Sequence, residues 1–109
     1  METPEIVTRT WQQLVSRLTA RFNSEGYQVV QEHHHDQLYG SCFIMWSNNL
    51  DALRLTWDGK EYCYILEETE LPITASTPWQ TIIISSFDFE KHDQIYANSI
   101  IQDVMKSLD

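Results

Sequence analysis

The sequence has 109 residues, a formal charge of −9 and 42% hydrophobic residues. That is the size of one domain, able to hide roughly 65% of the surface its unfolded chain would expose. Four Trp, five Tyr and four Phe exclude disorder, and the composition excludes collagen, coiled coils and disulfide scaffolds.

Residues 4–23 read as a helix. Thr3 is placed to cap it and Pro4 suits the first helical position. Val7, Trp11, Leu14, Leu18 and Phe22 form one apolar stripe at helical spacing. Gly26 is a plausible stop, and Arg9, Gln13, Arg17 and Arg21 line up as a polar, partly basic ridge.

Residues 27–67 read as four strands joined by tight turns. Asp58-Gly59 predicts a two-residue hairpin that would pair Trp57 with Lys60, Leu55 with Tyr62 and Leu53 with Tyr64. Asn48-Asn49 predicts the preceding turn, and a further turn is expected near Asp36-Gln37. Alternation then gives a core face, face A, made of Tyr27, Val29, Ile44, Trp46, Leu53, Leu55, Trp57, Tyr62, Tyr64 and Leu66, with the N-terminal helix lying on it. The reverse, face B, mixes Val30, Phe43, Met45, Ala52, Cys63 and Ile65 with Gln28, Glu32, Ser41, Arg54, Thr56, Glu61 and Glu67. It is too apolar to be simply solvated and too polar for a deep core. Cys42 falls on face A and Cys63 on face B, out of disulfide reach.

Residues 68–77 form a loop containing Pro72. Over residues 78–87 two patterns compete. Ile82-Ile83-Ile84 suits a strand, whereas Thr77, Pro78 and Gln80 make a capping-box pattern that favours a helix. Residues 89–108 read as a helix capped by Asp88 or a neighbour, with Ile95, Tyr96, Ile100, Ile101, Val104, Met105 and Leu108 as its stripe. The expected architecture is a single α+β domain: an N-terminal helix, a four-stranded or five-stranded antiparallel meander, then a C-terminal helix or helix pair.

The charge is uneven. Residues 1–24 net +1, and residues 25–109 carry 14 acids against 4 bases. A pI near 4.7 argues against nucleic acid as a partner, because phosphate neutralisation needs Lys and Arg gathered on one face. No stretch is apolar enough to span a membrane. Two cysteines and an N-terminus lacking a signal-peptide pattern place the chain, as an expectation, in the cytoplasm.

Catalytic signals are sparse. Three glycines give no phosphate-cradling loop, and Ser41, Ser85 and Ser86 lack a nucleophile elbow. Cys42 and Cys63 sit on strands rather than at a helix N-terminus. His33 and His35 would project from one strand face as a two-ligand pair for zinc, with His92, Asp93 or Asp88 to complete it. That pair carries an alternative reading, a metal-dependent or small-ligand enzyme. A third reading is a sensor with a pocket lined by Trp46, Trp57, Tyr62 and Tyr64.

The leading expectation is a small, acidic, non-catalytic protein-binding module without a cofactor, resembling inhibitors, adaptors or chaperones in mode of action. Its partner would be a protein, basic in charge, or a second copy joined through face B. The contact residues expected are Val30, Phe43, Met45 and Ile65 on face B, the acids Glu67, Glu68 and Glu70, and Trp79 as an anchor.

Overall fold

A computed structural model describes residues 5–34, 42–87 and 93–109. Helix α1 (Glu5–Ser24) is followed by strands β1 (Gln28–His34), β2 (Cys42–Ser47), β3 (Asp51–Asp58), β4 (Cys63–Glu70) and β5 (Gln80–Ser86), then helix α2 (Gln94–Lys106). The strands form one antiparallel sheet in sequence order. This is the expected α+β class, in its five-stranded form.

The helical reading of 78–87 is corrected: these residues supply β5. Ile83 lies opposite Leu66 and Ile84 opposite Ile65, and Ile82 is an extra residue at the irregularity beside Leu66 and Glu67. Pairing along β4, together with three β-branched residues, outweighs a cap pattern that needs no partner.

Both helices pack on face A. The stripe of α1 meets Ile44, Trp46, Leu53, Leu55, Trp57, Tyr64 and Leu66 in one continuous core that also holds Ala97, Ile100, Ile101 and Val104 of α2. Trp46 and Trp57 share that face, and each is almost fully buried. Trp46 Nε1 donates to Thr19 Oγ1 at 3.0 Å, and Tyr64 OH donates to the Val7 carbonyl at 3.0 Å. Arg21 ties α1 to the chain end, donating to Asp109 Oδ1 and the Leu108 carbonyl, both at 3.0 Å.

Gly26, at φ 92°, terminates α1 as its position suggests. The α2 cap is Asp93, whose carboxylate accepts the Tyr96 amide at 2.8 Å; Asp88 lies outside the described residues. Ile95 is not in the stripe and is 80% exposed. It lies two positions from buried Ala97, about 200° of helical turn, so the two point to opposite sides.

The β3–β4 hairpin differs from expectation. Trp57 pairs with Tyr64, Leu55 with Leu66 and Leu53 with Glu68, four residues along from the predicted partners. The loop is Gly59–Tyr62 rather than Asp58-Gly59. Asp58 Oδ1 accepts the Lys60 and Glu61 amides at 2.9 and 3.2 Å, and Tyr62 takes a positive φ of 55°. The offset is even, so each strand kept its predicted face. Tyr62 is the exception: it belongs to the loop and is half-exposed.

A bulge also divides β1. Val29 pairs with Trp46, but Glu32 pairs with Ile44 and His33 with Phe43. One extra residue reverses the alternation, which moves Glu32 from face B to face A and sets His33 on face B. Val29, on this edge strand, is exposed rather than in the core.

Candidate interaction surface

Face B carries no described helix. Its odd-even pattern follows from the registers: Phe43 and Met45 on β2, Ala52, Arg54 and Thr56 on β3, Cys63, Ile65 and Glu67 on β4, and Ile84 on β5. Met45, Ala52 and Cys63 are buried by their neighbours but do not join the core under the helices. Phe43 and Ile65 are half-buried, and Ile84 is 57% exposed.

The centre of the face is polar and paired. Arg54 and Glu67 stand directly opposite on β3 and β4. Arg54 Nη2 and Nε donate to Glu67 Oε1 at 3.0 and 3.2 Å. The chain between β4 and β5 returns to place Trp79 over the face of the same group, with the Arg54 guanidinium carbon 4.1 Å from the ring centroid. Trp79 is half-buried in this position. A guanidinium paired at its edge with a carboxylate and covered on one face by an indole loses little further freedom on binding. The indole edge and the neighbouring apolar side chains then form a pre-set platform.

The expected contact residues are therefore divided. Phe43, Met45, Ile65, Glu67 and Trp79 come together on face B. Val30 is the extra residue of the β1 bulge and is 55% exposed at the sheet edge. Glu68 and Glu70 leave this group, because they alternate with Glu67 and point to face A beyond the helices. There, with Asp51, Tyr27, Pro72 and Pro78, they line an open groove of about 700 Å³. Burial and the carboxylates of Asp51, Glu25 and Glu68 push the Tyr27 phenol up from its ordinary value. A second groove, of about 560 Å³, lies between the helices and holds Arg9, Arg17, Gln13, Asn98 and Gln102. It is the basic ridge read in α1.

Sequence reasoning missed Arg54 as the centre of the face and Ile84 as part of it. The first was legible only with the β3–β4 register, and the second only once 80–86 is a strand.

The metal and pocket readings fare differently. His33 stacks near Phe43, with ring centroids 5.6 Å apart, while His35, Asp36, Asp88 and His92 lie outside the described residues. Among the described residues no group of three or more His, Cys, Asp or Glu is arranged to hold a metal ion. The rings proposed to line a sensor pocket instead fill space: Trp57 lies 4.7 Å from Tyr64 and 6.3 Å from Phe87 between centroids. Burial, then the carboxylates of Asp58 and Glu61, push the Cys63 thiol up, which opposes a nucleophilic role. Both cysteines are free thiols. No described helix is long and apolar enough to cross a membrane.

Comparison with protein families, with curated proteins and with solved structures finds no match to this chain. The geometry alone defines the class: an α+β sheet with helices on one side and a half-apolar back.

Proposed function

We propose that the chain is a small acidic protein-binding module that docks a basic protein on face B. The observation that carries this reading is the Trp79–Arg54–Glu67 cluster at the centre of a half-apolar sheet face that no described helix covers. Interfaces of this kind combine an aromatic and Arg anchor with surrounding apolar side chains. The partner's sign follows from charge. Residues 25–109 carry 14 acids and 4 bases, so the field around the docking face draws in cationic surfaces and speeds their encounter. The centre of the face is neutral, so a partner with an apolar ridge flanked by Lys and Arg fits it.

The test compares capture from the native host by the wild type, Phe43→Asp, Trp79→Ala and, on the helix side, Arg9→Glu. The reading predicts a stoichiometric partner of net positive charge, released by raised salt. The two face B variants should lose it and Arg9→Glu should retain it. A partner held equally by Phe43→Asp and Trp79→Ala, or one that is itself acidic, would overturn the proposal.

A further inference from the structure

We infer that the groove between α1 and α2 docks an extended acidic peptide segment of another protein, with two carboxylates four residues apart. The groove, of about 560 Å³, is lined by Arg9, Gln13 and Arg17 of α1 and by Asn98 and Gln102 of α2, and no carboxylate lines it. The chain as a whole holds 16 Asp and Glu among 109 residues. Arg21 and Arg54 each hold a carboxylate of the chain. Arg9 and Arg17 hold none among the described residues, and both are exposed. Hydrogen-bond polarity adds to the charge. Gln94 Nε2 donates to Gln13 Oε1 at 3.2 Å and to Asn98 Oδ1 at 2.8 Å. Both side-chain carbonyls are thereby turned to Gln94, and both amide NH2 groups are left to meet a ligand. Two guanidiniums and two amide donors in one groove suit an acceptor-rich, negatively charged occupant.

The spacing selects the occupant. Arg9, Gln13 and Arg17 recur every four residues, so about 6 Å of helix axis separates each from the next and about 12 Å separates the two arginines. In an extended chain the side chains on one side recur every two residues, about 6.6 Å apart, and positions i and i+4 lie about 13 Å apart. A segment of the form acid-x-polar-x-acid therefore sets its carboxylates beside Arg9 and Arg17 and its middle side chain beside Gln13. Asn98 and Gln102, on the other wall, offer amides to its backbone. A compact anion such as inorganic phosphate does not span that distance. Nucleic acid is disfavoured, because its phosphates continue beyond the groove onto a chain of net −9. A short segment faces the groove alone, since at physiological salt exposed charges beyond about 8 Å are largely screened. The helices cover face A, so this groove and face B lie on opposite sides of the sheet. The groove does not depend on the basic-partner reading, and either stands without the other.

Amide chemical-shift titration of the isotope-labelled full chain with the blocked peptide acetyl-Asp-Ser-Thr-Ser-Asp-amide tests it. Exposed ion pairs are individually weak, so a dissociation constant of about 1 mM is expected. Saturable shifts should centre on Arg9, Gln13, Arg17, Asn98 and Gln102, not on face B, and raised salt should weaken the binding. The double variant Arg9→Glu/Arg17→Glu should bind about tenfold or more weakly, whereas Phe43→Asp should bind as the wild type does. The peptide with both Asp replaced by Asn should not saturate. The isomer acetyl-Asp-Asp-Ser-Thr-Ser-amide, of equal charge, should bind several-fold less tightly. These peptide comparisons use the wild type alone and decide the matter if the arginine variant does not fold. An absence of saturable shifts, shifts centred on another surface, or equal binding of the spaced peptide and either control peptide would overturn the inference. So would inorganic phosphate that matches the spaced peptide at equal concentration.

Discussion

On β2 and β3, Ile44, Trp46, Leu53, Leu55 and Trp57 face the helices, while Phe43, Met45, Ala52, Arg54 and Thr56 alternate with them on the back. The same two strands thus supply both sides, and the sides differ in how their polar groups are satisfied. On face A, polar atoms are few and mostly tied inward, as with the Tyr64 hydroxyl on the Val7 carbonyl; Trp57 Nε1 is buried with no partner among the described residues. On face B, an ion pair sits in the middle of apolar side chains, part-exposed and capped by Trp79. A sheet face meant only for solvent needs neither Phe43 nor Trp79. A face meant for a core would not carry Arg54 and Glu67, since burying charge is costly even when paired.

Substitutions on the two faces should therefore separate stability from binding. The largest effect is expected from Trp46→Ala. It empties the centre of face A and removes the bond to Thr19, and should cost about 3–5 kcal/mol in urea unfolding. A loss below roughly 1 kcal/mol would mean that face A is not the core.

Tyr64→Phe should cost about 0.5–1.5 kcal/mol, because the Val7 carbonyl, inside α1, loses the added hydroxyl bond and keeps its helical one. Tyr64 also gives the contrast a pH signature. Burial holds its phenol well above its ordinary value of 10. The unfolded chain therefore ionises there while the native state does not. The stabilisation is complete below the unfolded value and drains away as pH rises above it towards the raised native value. Wild-type stability should fall steeply in that alkaline range, and Tyr64→Phe should flatten the fall. An equally steep fall in the variant would place the alkaline sensitivity elsewhere, with Tyr27 the next candidate.

Asp93→Ala should cost about 1 kcal/mol by removing the α2 cap, read by thermal unfolding. An unchanged midpoint would assign the start of α2 to another residue. The smallest stability effect belongs to face B. Phe43→Asp should shift unfolding by no more than about 0.5 kcal/mol, although it places a charge in the proposed interface. A loss comparable to that of Trp46→Ala would show that Phe43 belongs to a second core rather than to a contact surface.

How much of this was legible in the sequence depends on the kind of signal. The α1 stripe from Val7 to Phe22 repeats over several turns, so no single position decides it. The faces of β2, β3 and β4 were also readable, because alternation survives any even register error. The β3–β4 offset is such an error: Asp58 caps its own loop through its carboxylate, and the Asp58-Gly59 pair resembles a shorter turn. Bulges defeat alternation. The extra residue in β1 put Glu32 and His33 on the faces opposite to simple counting, and nothing local in Val29-Val30-Gln31 announces it. The strand at 80–86 was ambiguous because its stability comes from β4, a partner that residues 78–87 do not mention. The Arg54–Glu67–Trp79 cluster depends on both the register and the β5 placement, so it could not be assembled from spacing alone.

The most direct test of the division between the two faces is calorimetric titration of the captured partner into wild type and into Phe43→Asp, after both are shown to unfold at similar urea concentrations. Saturable binding with a negative heat-capacity change, lost in the variant, is the predicted result. Equal affinity for two equally stable proteins would contradict it.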